Sequence, residues 1–137
     1  MLSDLKQAHE ELLGYISELE AVIAKNEINA SNIARVRLQL SKASSRRRRI
    51  VAEAIQRLSE GATSEETRRL NLLRENDSVI LAATSSHVGE WSIEAILADS
   101  EGYRAASNAM RKSMRERIAM EKTVLYPPLE RADPPRG

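Results

Sequence analysis

The chain has no cysteine. That excludes disulfides, thiol nucleophiles and cysteine-ligated zinc or iron–sulfur sites. It also lacks phenylalanine and has a single tryptophan; with aromatics at 3%, any core must be aliphatic. Five glycines and four prolines leave few positions for the turns of a many-stranded sheet. Neither charge sign dominates. Lys plus Arg (21) against Asp plus Glu (20) gives a formal +1, short of the basic excess typical of nucleic-acid binders. No apolar run is long enough to span a bilayer, and the start, MLSDLKQAHEEL, lacks the apolar stretch of a secretory signal. The expected location is the cytoplasm, with no membrane and no nucleic acid as partner.

What is present is a single domain's worth of chain, 137 residues and 42% hydrophobic, enough to bury a core. Its apolar residues recur at alternating three and four spacing, the signature of amphipathic helices. A first helix is expected over 3–26, with Leu2, Leu5, His9, Leu12, Ile16, Leu19 and Ile23 on one seam. A second, over 31–60 and stopped at Gly61, places Ile33, Val36, Leu40, Ala43, Arg47, Ile50, Ala54 and Leu58 on its seam. Thr63 to Glu66 spells a capping box that opens a third helix, with Leu73, Ile80, Thr84, His87 and Trp91 inward and Asp77 close by. Between Gly89 and Gly102 the pattern allows either a continuation or a short separate helix from Ser92. A last helix from about Tyr103 carries Ala106, Met110, Met114, Arg117, Ile118, Glu121 and Leu125 on its stripe. Pro127 and Pro128 should end it, leaving a polar, proline-rich tail. The predicted architecture is all-α, an up-down-up-down antiparallel four-helix bundle over 1–126 with a tail over 127–137.

The four consecutive arginines at 46–49 test this reading. Successive helical residues are about 100° apart, so the four cannot share one face. Arg47 falls on the apolar stripe, whereas Arg46, Arg48 and Arg49 point to the flanks and should be exposed. Every expected helix thus contributes a polar residue to its seam: His9, Arg47, His87, Arg117 and Glu121. Buried charge without partners costs several kcal/mol, so these five are expected to meet and satisfy one another. His9, His87 and Glu121 are also candidate ligands for a single iron, manganese or zinc ion. Guanidinium stays charged, however, so Arg47 and Arg117 would repel a dication and are better suited to replace one.

The stretch SSHVGEWSIEAILADSEGYRAASNAMRKSMRERIAMEKTVLYPPLE, residues 85–130, resembles the C-terminal half of bacterial hemerythrin-like (HHE) proteins. Its ending, Arg117 to Pro127, resembles their last-helix signature, in which His-x-x-x-Glu precedes Leu-Tyr-Pro. LKQAHEELLGYISEL resembles their first helix, with His9 at the ligand position. The resemblance implies a four-helix bundle holding a carboxylate-bridged di-iron centre. It places Arg117 at one histidine position and Arg47 and Val51 at another His-x-x-x-Glu pair. Around His87, Ala83 and Trp91 stand where a second histidine is usual. Only His9, His87 and Glu121 are kept, too few for two irons.

The expected function is therefore a non-enzymatic, hemerythrin-like signalling module, regulatory or sensing, whose di-iron site is lost. It would act through a protein partner or as a homodimer, with no cofactor. A residual iron-binding protein that senses oxygen or metal is the alternative. Nucleic-acid binding through Arg35, Arg37, Arg46, Arg48 and Arg49 is the weakest reading. No nucleophile–base pair or phosphate-binding glycine loop is present.

Overall fold

A computed structural model describes residues 1–132. Those residues form five helices and no strand: α1 (Leu2–Ile23), α2 (Ala30–Ser59), α3 (Ser64–Glu90), α4 (Ile93–Ala98) and α5 (Ser100–Ala132). Several boundaries have a local cause. The Asn29 side chain accepts from the Asn32 amide at 3.0 Å and starts α2. Gly61, at φ 74°, turns the chain out of α2 in the left-handed region that glycine tolerates. Thr63 and Glu66 close the capping box of α3 reciprocally. Ser92 caps α4 through the Ala95 amide, so 92–98 form a separate short helix. Two arginines answer carbonyls left over at helix ends. Arg104 donates to the carbonyls of Ile23 and Lys25 after α1, and Arg37 to those of Val88 and Trp91 at the end of α3.

α1 packs along α2, and α5 touches α1, α2 and α3. The buried residues fall into two apolar clusters. One contains Leu12, Ile16, Leu19, Ile33, Tyr103 and Ile118 among others. The other is built from Leu5, Val51, Ile55, Leu70, Leu125, Leu129 and their neighbours. In sequence, His9 lies between Leu5 and Leu12, Arg47 between Ala43 and Val51, and Arg117 and Glu121 flank Ile118 before Leu125. The polar residues therefore occupy the layer between the two clusters.

Several expectations need correction. Pro127 and Pro128 do not end the last helix; α5 runs through them to Ala132. The expected tail is thus helical as far as 132, and the remainder, 133–137, lies outside the described residues. The reason is Leu129, which is 1% exposed in the second cluster. Burying a leucine stabilises by about 1.5–3 kcal/mol, comparable to the roughly 3 kcal/mol cost of an interior proline. In α2 the buried set after Arg47 is Val51, Ala54 and Ile55 rather than Ile50, Ala54 and Leu58. A straight helix drifts from a strict 3.5-residue repeat by about 20° per heptad. In α3 only Leu70 and Leu73 are buried, while Ile80, Thr84, His87 and Trp91 are half-buried. In α5, Ser107 and Arg111 are buried and Ala106, Met110 and Met114 are not.

Candidate functional site

The site is centred on one carboxylate. Glu121 is fully buried, one turn after Arg117 on α5. Its Oε1 accepts from His9 Nε2 at 2.8 Å. Its Oε2 accepts from Arg117 Nε at 2.7 Å and from the Arg47 guanidinium. Three helices thereby converge on two oxygen atoms. Arg117 then extends the network to α3, donating from Nη1 to the Leu73 carbonyl at 2.8 Å and to Asn76 Oδ1 at 2.9 Å. On the other side, His9 Nδ1 lies 2.6 Å from the Tyr126 hydroxyl. Because a carboxylate only accepts, His9 Nε2 carries the hydrogen; in the neutral ring, Nδ1 then accepts from Tyr126 O–H.

The electrostatics favour an ionised Glu121. Burial alone would push its carboxyl upward, but the His9 hydrogen bond and the charges of Arg47 and Arg117 outweigh that and hold it below its ordinary range. Arg47 is pressed the other way. Burial lowers its guanidinium pKa, the Glu121 charge opposes this, and the like charge of Arg117 adds to the lowering. One carboxylate is therefore serving two buried cations. Asp77 is the next acid, 3.6 Å from Arg48 Nε and 4.0 Å from Arg117 Nη2, too far for good hydrogen bonds. Arg47 Nε, Arg48 Nε and Arg117 Nη2 are buried and have no hydrogen-bond acceptor among the described residues.

Four of the five expected polar seam residues, His9, Arg47, Arg117 and Glu121, meet in this network. His87 does not join them. It is half-buried, and its ring stacks on Tyr103 at 6.0 Å between centroids. Burial and the Arg37 charge lower its pKa, against a weaker pull from Glu90. The cause is axial: the network meets α3 at Leu73 and Asn76, and His87 lies about 16 Å further along that helix, beside Tyr103. The flanking arginines also depart from expectation. Arg49 is exposed, but the side chains of Arg46 and Arg48 are only 33% and 34% exposed. Arg46 pairs with Glu11 at 3.0 Å, and Arg48 leans toward Asp77.

Sequence reasoning missed Tyr126 and Asn76 as members of the network. It also missed a second polar group, in which buried Arg111 donates from Nε to buried Ser107 Oγ and from Nη1 to exposed Glu20 at 2.5 Å. Tyr126 is five residues from Glu121, off the three/four spacing, so periodicity gives no sign of it.

The residues present do not fit the di-iron centre that the resemblance implies. Both Glu121 oxygens and His9 Nε2 are already used within the network, and two guanidinium groups add charge that opposes a dication. Among the described residues no three His, Asp or Glu side chains are placed to hold a metal ion. Comparison with family models, curated proteins and solved structures gives no match.

Proposed function

We propose that the chain is a non-enzymatic, hemerythrin-like four-helix bundle in which an arginine–carboxylate–histidine network replaces the metal site, and that it works as a regulatory or sensing module through a bound partner. The observation that carries this reading is the sharing of Glu121 among His9, Arg47 and Arg117. Two arginines supply the positive charge that a metal would otherwise bring to a buried carboxylate. α1, α2, α3 and α5 would be the four principal helices, and α4 a short link.

Metal analysis of protein purified without chelator or affinity tag tests the reading, and no stoichiometric metal is expected. The converse experiment replaces Arg47→His, Arg117→His and Val51→Glu together. That variant restores ligand types and removes the repulsion, so it should take up iron where the native chain does not. Stoichiometric iron or manganese in the native protein, lost on Glu121→Ala, would instead support the residual-metal alternative. That alternative has His9 and Glu121 in contact but lacks His87 as a third ligand.

A further inference from the structure

The three guanidinium groups whose nitrogens lack a protein acceptor share one lining, and two of them, Arg48 and Arg117, stand near the same Asp77 oxygen. Arg47, Arg48 and Arg117 all line one cavity of about 380 Å³ between α2, α3 and α5, floored by α1. Arg47 and Arg117 have side chains only 6% and 2% exposed, so these donors have little access to bulk water. The cavity lies where the second half of α3 stands off the core. Leu12, Leu40, Ile80, Met110, Met114 and Ile118 give it apolar walls, and Ser41, Ser44 and Thr84 stand on its flanks. At about 30 Å³ of liquid volume per water, the space equals roughly a dozen waters. That lies within the size range of small-molecule sites, which combine apolar walls with a few convergent polar groups.

Charge indicates what is missing. The lining carries Arg37, Arg47, Arg48 and Arg117 against Asp77. Adding Glu121, which Arg47 and Arg117 share, still leaves two positive charges uncompensated. Arg37 is turned away, with its guanidinium on the Val88 and Trp91 carbonyls. The unsatisfied cluster is therefore Arg47, Arg48 and Arg117, one charge in excess of Asp77 and Glu121. We infer that this cavity binds a small monoanionic amphiphile, its carboxylate accepting from Arg47 Nε, Arg48 Nε and Arg117 Nη2 and its apolar body lying along the Leu40, Ile80, Met114 wall. A compact anionic head offers these N–H donors charge-assisted hydrogen bonds, which are stronger than those to neutral acceptors. The inference rests on the metal-free reading of the network, and it gives the proposed sensing module a class of signal.

Isothermal titration of the intact chain with octanoate, acetate and 1-octanol tests it. Octanoate should bind at one site, with acetate and octanol each at least about tenfold weaker, because each lacks half of the recognition. Arg48→Gln should weaken octanoate by about tenfold and leave octanol unchanged, the loss of one charge-assisted hydrogen bond. Thr84→Trp, which fills the cavity, should abolish binding of both. Far-UV circular dichroism verifies that each variant is folded. Octanol binding as tightly as octanoate would overturn the anion site, as would no octanoate binding to folded native protein. A dimer by sedimentation that fails to bind octanoate would give the cleft to a second copy and equally overturn it. Metal content measured on the same preparation separates the two readings. A metal-loaded protein defeats the metal-free reading, whereas a metal-free protein indifferent to octanoate defeats only this inference.

Discussion

At the scale of single residues, Glu121 decides the behaviour of the site. Among the described residues it is the only carboxylate bonded to both Arg47 and Arg117. Neutralising it as Glu121→Gln should cost about 3–5 kcal/mol at neutral pH, because two buried cations lose their counter-charge; chemical denaturation measures this. The pH dependence follows from the same contacts. Its carboxyl is held below the ordinary 4.5, so an unfolded chain takes up the proton first as pH falls. The stabilisation is present above the ordinary carboxylate range and is lost as pH drops through the lower folded value. Glu121→Gln should flatten that acid limb. His87 acts earlier, since its folded pKa lies below 6.5. The unfolded chain again binds the proton more readily, so stability declines as pH falls below 6.5, and His87→Gln should remove this first decline. Four of the network's residues were legible from their seam positions. His87 sits on an equally good seam, but about 16 Å along α3 from Asn76, where the network meets that helix; the level at which helices meet is not revealed by spacing along one of them.

At the scale of elements, α5 shows local propensity yielding to packing. Two prolines deprive the carbonyls of Thr123 and Val124 of their helical donors, yet the helix continues because Leu125 and Leu129 are both buried in the second cluster. Leu129→Ala should therefore do more than open a cavity worth about 2–5 kcal/mol. It should remove the reason for helix beyond Tyr126, and amide exchange should accelerate selectively at Leu129–Ala132. Uniform protection through that segment would mean that the prolines are tolerated without Leu129. The starts at Thr63 and Ser92 were easier to read, because both act through hydrogen bonds to amides three residues on. The end of α5 depends on a contact between residues more than seventy positions apart, Leu129 with Val51 and Ile55 among others, and no local rule encodes it.

At the scale of the whole molecule, the all-helical class was legible because seam spacing runs through most of the chain, while the division of the core was not. Two apolar clusters are separated by a charged layer, an arrangement that thermodynamics alone does not favour. Removing one partner from a buried ion network is expensive, but replacing the entire network with packed apolar side chains is often neutral or stabilising by about 1–4 kcal/mol. The difference arises because desolvation of all the charges is then recovered, and no lone cation remains. Here the exchange would be His9→Leu, Arg47→Met, Arg117→Met and Glu121→Leu in one chain. Tyr126 is half-exposed and can return its hydroxyl to water, and the Leu73 carbonyl belongs to the interior of α3, so few groups are orphaned. The fourfold variant should unfold at higher urea than the native protein, whereas Glu121→Gln unfolds at lower urea. It should also lose octanoate binding, since only Arg48 would remain at the cavity head. A fourfold variant weaker than native would mean that the charged layer is a net stabiliser and needs no function to account for it. A stronger one that no longer binds places the layer in the service of recognition.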